Sequence, residues 1–144
     1  MPPLSRARIA LGLFAALACC SCSSDGLNPV AGTVTVNGQP AVGATVMFFP
    51  EGAKGMNVVP STGVVGADGA FALSTGGKTG APAGWYVVAV TWPDPKVKAT
   101  ETQKMMGMAP DAPDVLKGRY AGEKSPLKAE VKAGENKLDP FQLQ

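Results

Sequence analysis

Short runs of β-branched and apolar residues, cut repeatedly by glycine, proline and Asn-Gly or Asp-Gly pairs, constrain the fold of this chain more than any other feature. In the first run Val30, Gly32, Val34 and Val36 fall on one side of an extended backbone, while Ala31, Thr33 and Thr35 fall on the other. Asn37-Gly38 follows, a pair that readily takes the two positive φ angles of a tight hairpin turn. A period of two cannot build a helix face, so the stretch reads as a half-buried strand.

The pattern continues to the end of the chain. Pro40 and Gly43 delay the second run, so residues 44–49 form either the direct hairpin partner or a strand that crosses to another sheet. Residues 62–65 and 70–73 flank Ala67-Asp68-Gly69, a turn suited to a hairpin, with Phe71 and Leu73 on one face. From Trp85 to Trp92 the run is apolar and rich in valine, which predicts a central strand covered on both faces. Leu127, Ala129 and Val131 alternate with Lys128, Glu130 and Lys132, and Phe141 shares a face with Leu143. Pro140 restricts that last strand to an edge or a bulge. About seven strands at this spacing predict an all-β sandwich. The 18 glycines and 13 prolines then serve as turns, since they follow no collagen-like period.

Residues 93–126 break the rhythm and are too long for a bare loop in a compact domain. Thr100 with Gln103 has capping-box spacing for a short helix over 101–108, and Asp111 with Pro113 could open a single turn ending near Gly118. A partly helical insertion before the last two strands is therefore predicted.

The N-terminal segment has another character. Arg6 and Arg8 precede an uncharged apolar run over 9–18, then Cys19, Cys20, Cys22 and a Ser-rich stretch, which is the order of an export signal. Ten helical residues rise only about 15 Å, half of a hydrocarbon core of about 30 Å, so a stable span is disfavoured. Ala16-Leu17-Ala18-Cys19 resembles a bacterial lipobox. That resemblance implies removal of residues 1–18 and acylation of Cys19, with Cys20 as the alternative because Leu17 stands three positions before it. Residues 19–29 would form a lipidated tether, and residues 30–144 the folded domain. No cysteine lies beyond Cys22, so no disulfide framework supports the domain even though export would permit one.

Two of the 13 basic residues leave with residues 1–18, and the remainder balance the 11 acidic ones. A neutral domain lacks the basic surface that nucleic acid requires, so no nucleic-acid partner is expected.

Taken in order, "GTVTVNGQPAVGATVMFFPEG", "TGVVGADGAFALST", "GAPAGWYVVAVTW" and "LKGRYAGEKSPLKAEVKAGENKLDPFQL" resemble the small lipoproteins of planctomycete-type bacteria that carry a carboxypeptidase-regulatory-like domain. The resemblance spans about residues 30–143 and rests on turn and strand chemistry in a fixed sequence. It implies a prealbumin-like or Ig-like sandwich of seven strands, exported and lipid-anchored to the cell membrane or outer membrane, facing the periplasm or the exterior. It implies no settled biochemical activity.

The residues themselves offer little chemistry. The chain has no histidine, which removes the commonest general base and the commonest zinc ligand. Hydroxyisourate hydrolases and intradiol dioxygenases, which share the prealbumin-like scaffold, depend on histidine, so neither activity transfers. Ser61, Ser74 and Ser125 lie in turn-like stretches where hydroxyls serve backbone, and no catalytic residue is assigned. Asp111 and Asp114 form no calcium-type loop and read as caps; Asp68 is explained by its turn. Met105, Met106 and Met108 could offer soft thioethers to copper(I), but read more simply as the apolar underside of a helix or lid; no metal or cofactor is expected. Trp85, Trp92, Tyr86 and Tyr120 could offer faces that stack on sugars or peptides; Trp92, at a strand end beside the insertion, is the most reachable and the candidate binding residue, though core or lid packing is the simpler reading. The sequence thus predicts a non-catalytic, membrane-anchored structural or interaction module, whose partner would be an envelope protein or, alternatively, a glycan. A small hydrolase using unrecognised residues is the remaining alternative.

Overall fold

The computed structural model describes residues 25–52 and 57–144. In chain order they form β1 (Leu27–Asn28), β2 (Val30–Val36), β3 (Gln39–Pro40), β4 (Thr45–Pro50), β5 (Ser61–Val64), β6 (Ala70–Ala72) and β7 (Ser74–Thr75). Then come β8 (Lys78–Thr79), β9 (Ala81–Pro82), β10 (Gly84–Thr91), the helix α1 (Glu101–Met105), a 3-10 turn at Gly122–Lys124, β11 (Leu127–Val131), β12 (Asn136–Lys137) and β13 (Phe141–Leu143).

These elements build an all-β sandwich. One sheet has the order β11-β10-β4-β5-β7-β8. The other is organised on β2, which pairs antiparallel with β3 and β6 along one side and parallel with β12 and β13 along the other. The first long strand and the last therefore lie side by side, which joins the two ends of the domain. The seven strands expected correspond to a larger number of shorter segments, because proline and glycine interrupt several of them. Pro140, for instance, divides β12 from β13.

Side-chain alternation supplies the core. Val34 and Val36 from β2, Val46 and Phe48 from β4, Tyr86, Val88 and Val90 from β10, and Val131 from β11 are buried between the sheets with Phe71, Leu73 and Leu143. Asn37 and Gly38 have φ of 50° and 79°, the tight turn that the Asn-Gly pair predicts. The open alternative for residues 44–49 resolves as a crossover: β4 joins the six-stranded sheet and pairs with β10 and β5.

Two expectations are corrected. The arms around Ala67-Asp68-Gly69 do not make a simple hairpin, since β5 stays in the large sheet while β6 pairs with β2 in the small one. The turn itself holds, with the Ala70 amide donating to Asp68 Oδ1 at 3.1 Å, but the return arm changes sheet before Ser74 rejoins Thr62. The central strand β10 is fully covered on its inner face, where Tyr86, Val88 and Val90 are buried, but only in part on the outer one, where Ala89 is buried, Val87 and Thr91 are half-buried and Trp85 is 55% exposed.

Within the stretch assigned to the tether, Leu27 and Asn28 pair with Pro82 and Ala81, and the Asp25 carboxylate meets Lys78 Nζ at 2.8 Å. Cys19, Cys20 and the export segment lie outside the described residues.

Candidate functional site

One carboxylate gathers several of the bonds that fasten the insertion, beside backbone bonds such as the Val115 amide to the Trp92 carbonyl at 2.8 Å. Asp114 Oδ1 accepts from the Trp92 amide at 2.9 Å and the Leu116 amide at 3.0 Å, and Oδ2 accepts from the Gly118 amide at 2.9 Å. A short charged side chain can cap several backbone donors at once, and charge-assisted bonds of this kind are the strong ones. The cap on this turn is thus Asp114, and Asp111 is left exposed. Leu116 is buried behind it, and the Tyr120 carbonyl accepts from the Val90 amide at 2.8 Å, so the insertion returns along β10.

Trp92 belongs to this fastening. Its indole N–H donates to the Val42 carbonyl at 3.0 Å, and its half-buried ring packs against the core. The helix forms where Thr100 and Gln103 predict, with both halves of the capping box in place, but it ends at Met105. Met105, Met106 and Met108 are exposed, so the packing expected of a helix underside or lid is absent.

The serines are committed to the scaffold. Ser61 Oγ and Thr75 Oγ1 lie 2.7 Å apart, Ser74 Oγ donates to the Thr62 carbonyl, and Ser125 Oγ accepts from the Leu127 amide. Among the described residues no cluster of three or more His, Cys, Asp or Glu could hold a metal ion, and no helix is long and apolar enough to cross a membrane.

Tyr86 is the one titrating group among the described residues whose proton affinity shifts clearly. Burial pushes its phenol above the ordinary value, against a smaller opposite effect of the Ser61 hydroxyl, and the O–H donates to the Pro82 carbonyl at 2.7 Å. The folded state thus holds this proton more tightly than the unfolded chain, whose phenol titrates near pH 10. The associated stability is complete below about pH 10 and is lost as pH rises through the higher folded value. Thermal unfolding followed from pH 8 to 11 should show the midpoint falling at the alkaline end, and the fall should be smaller in Tyr86→Phe.

A site with room for a ligand lies elsewhere among the described residues. A groove of about 560 Å³ runs between β11 and the arm formed by β12 and β13, with Trp85, Glu130, Lys132, Glu135, Lys137 and Phe141 among its walls. Trp85 on β10 stands directly opposite Glu130 on β11, a cross-strand pair whose side chains share the outer face. Asn136 shapes the turn that closes one end of the groove: its Oδ1 accepts from the Lys132 amide at 2.8 Å, and its Nδ2 donates to the carbonyls of Lys132 and Gly134. Asn28 Oδ1 accepts from the Gly134 amide at 2.9 Å, which secures the same turn from outside.

Sequence reasoning counted Trp85 among four aromatic candidates but favoured Trp92, and it missed this groove. The signal for Trp85 was present, because Tyr86 is in phase with Val88 and Val90 and so claims the core, which turns Trp85 outward. Nothing in the local pattern brings β11 of one sheet and the β12–β13 arm of the other to a common groove, so the groove itself needs the fold. Comparison of the chain with protein-family models, with curated proteins and with solved structures gives no match.

Proposed function

We propose that this chain is a non-catalytic, lipid-anchored β-sandwich of the bacterial cell envelope, acting as a structural or protein-interaction module. The observation that carries this reading is the lipobox-like Ala16-Leu17-Ala18-Cys19, which follows an Arg-flanked apolar run and stands a few residues ahead of the sandwich. The proposed anchor is Cys19, with Cys20 as the alternative. A single acyl chain holds a protein only marginally, whereas several on one terminal cysteine hold it durably. Support for a non-catalytic role comes from the serines, whose hydroxyls serve the scaffold, and from the lack of histidine. The resemblance to lipoproteins with a carboxypeptidase-regulatory-like domain agrees with the all-β sandwich and points to the same class.

Fractionation tests the anchor. The wild-type protein should stay with membranes through a high-salt wash, and Cys19→Ser should move it to the soluble fraction or leave it as an unprocessed precursor. Release by Cys20→Ser alone would transfer the anchor to Cys20. Unchanged membrane association in the double variant, or wholly soluble wild-type protein, would overturn it. Turnover on ester or peptide substrates that is abolished by replacing Ser61, Ser74 or Ser125 would overturn the non-catalytic assignment.

A further inference from the structure

We infer that the groove between β11 and the β12–β13 arm binds a neutral oligosaccharide, with the Trp85 indole as its stacking platform. This inference goes beyond the proposed structural or protein-interaction role and is independent of the lipid anchor.

The platform is a large apolar ring left in water. Trp85 is the one aromatic residue among the exposed large hydrophobics of the described residues, and it lines the groove together with Leu138 and Phe141, both partly buried. An indole face suits the C–H face of a pyranose, because it offers broad apolar contact without demanding charge, and ordering its two side-chain torsions costs little. The groove volume of about 560 Å³ lies inside the range of small-molecule sites.

Charge selects the class of ligand. Lys128, Lys132 and Lys137 line the groove with Glu130, Glu135 and Asp139, three cations against three carboxylates. Two of the lysines already have partners: Lys128 Nζ meets Glu51 Oε1 at 2.6 Å, and Lys132 lies 4.0 Å from Glu130. With Glu51 counted, carboxylates outnumber the lysines by one, so no positive field remains to hold a nucleic acid or an acidic polysaccharide. A polyhydroxyl ligand matches such a lining, since each hydroxyl can donate to a carboxylate and accept from an ammonium. Glu130, opposite Trp85, is placed to take the first such hydroxyl beside the stacked ring. The bonds of Asn136 and Asn28 to the turn hold this end of the groove before any ligand arrives, which lowers the ordering cost of binding.

An added peptide strand along β11 is the competing occupant. The charged outer side chains Lys128 and Glu130 protect this edge in the usual manner of solvent-exposed edge strands.

The test is titration of the protein purified from membranes in detergent, with its N-terminus as processed by the cell, against cellohexaose, xylohexaose, mannohexaose and chitohexaose. Calorimetry and tryptophan emission report binding, and oligogalacturonate and heparin fragments serve as charged comparators. At least one neutral hexasaccharide should bind and alter the emission. Trp85→Ala should weaken that affinity by about tenfold or more, as loss of a central aromatic anchor does, with an unchanged thermal midpoint. Trp92→Phe should leave the affinity within about twofold. Absence of binding by every neutral sugar, binding of the charged fragments alone, or binding that survives Trp85→Ala would overturn the inference. Capture of an extended peptide at β11 with no sugar binding would also overturn it while leaving the interaction-module reading intact. An unacylated N-terminus would remove the anchor and leave the sugar result standing.

Discussion

Phe48→Ala is expected to destabilise the sandwich by about 3–5 kcal/mol, the loss typical of a large aromatic ring removed from a closed core. Phe48 is fully buried on β4, between Val88 of β10 and Ser61 of β5. Its ring meets Phe71 of the opposite sheet at 6.3 Å between centroids and Tyr86 of its own sheet at 5.7 Å. Alanine would leave a void lined by core side chains, the Phe71 and Tyr86 rings among them, which are carried on paired strands that cannot close in without disturbing strand pairing. The loss thus combines the transfer term with a cavity that persists. For a domain of this size the thermal midpoint should fall by about 10–20 °C. Urea denaturation checks the prediction, with a lower midpoint at unchanged slope. Phe48→Leu, which keeps most of the volume, should lose less than half as much.

Gly80→Ala is expected to cost about 2–5 kcal/mol, from backbone strain and overpacking together. Gly80 has φ of 107°, and a Cβ there would stand 2.7 Å from the Asn28 carbonyl oxygen and 2.9 Å from its carbon. Neither is the end of a flexible side chain, so β1 itself would have to move away from β9. The damage should be local at first: hydrogen exchange should quicken at Asn28 and Ala81 before it does in β4 or β10. Gly76→Ala is the natural control. Gly76 also has positive φ, but a Cβ there meets nothing within 4 Å, so its cost should reflect strain alone, about 1 kcal/mol. Equal losses at the two positions, read by urea denaturation, would contradict the close approach of Gly80 to Asn28.

Local chemistry made part of this architecture legible in the sequence. Val34 and Val36 alternate because β2 has one buried face, Asn37-Gly38 turns as its φ preferences require, and Thr100 with Gln103 caps the helix. Sheet membership was not legible, because Val46 and Phe48 would alternate identically in either sheet. The split of the arms around Asp68 was hidden for the same reason: Phe71 and Leu73 point into the sandwich whichever sheet holds their backbone. The methionines misled because apolar composition suggests burial, yet α1 has only five residues and no buried face.

The candidate site divides in the same way. The outward phase of Trp85 follows from Tyr86, Val88 and Val90. Its partners in the groove come from segments much further along the chain, brought near by the parallel pairing of β2 with β12 and β13. Trp92 drew attention as an aromatic at a strand end, but the structure employs its indole N–H to hold the Val42 carbonyl. A periodic pattern reports which face a residue takes, whereas a groove reports which strands meet.

Mass spectrometry of the N-terminal peptide, taken from protein purified out of its native envelope, tests the central claim most directly. The account predicts that the peptide begins at Cys19, or at Cys20, and carries a diacylglycerol and acyl modification on that cysteine. A peptide beginning at Met1, or one whose cysteines are unmodified, would contradict it.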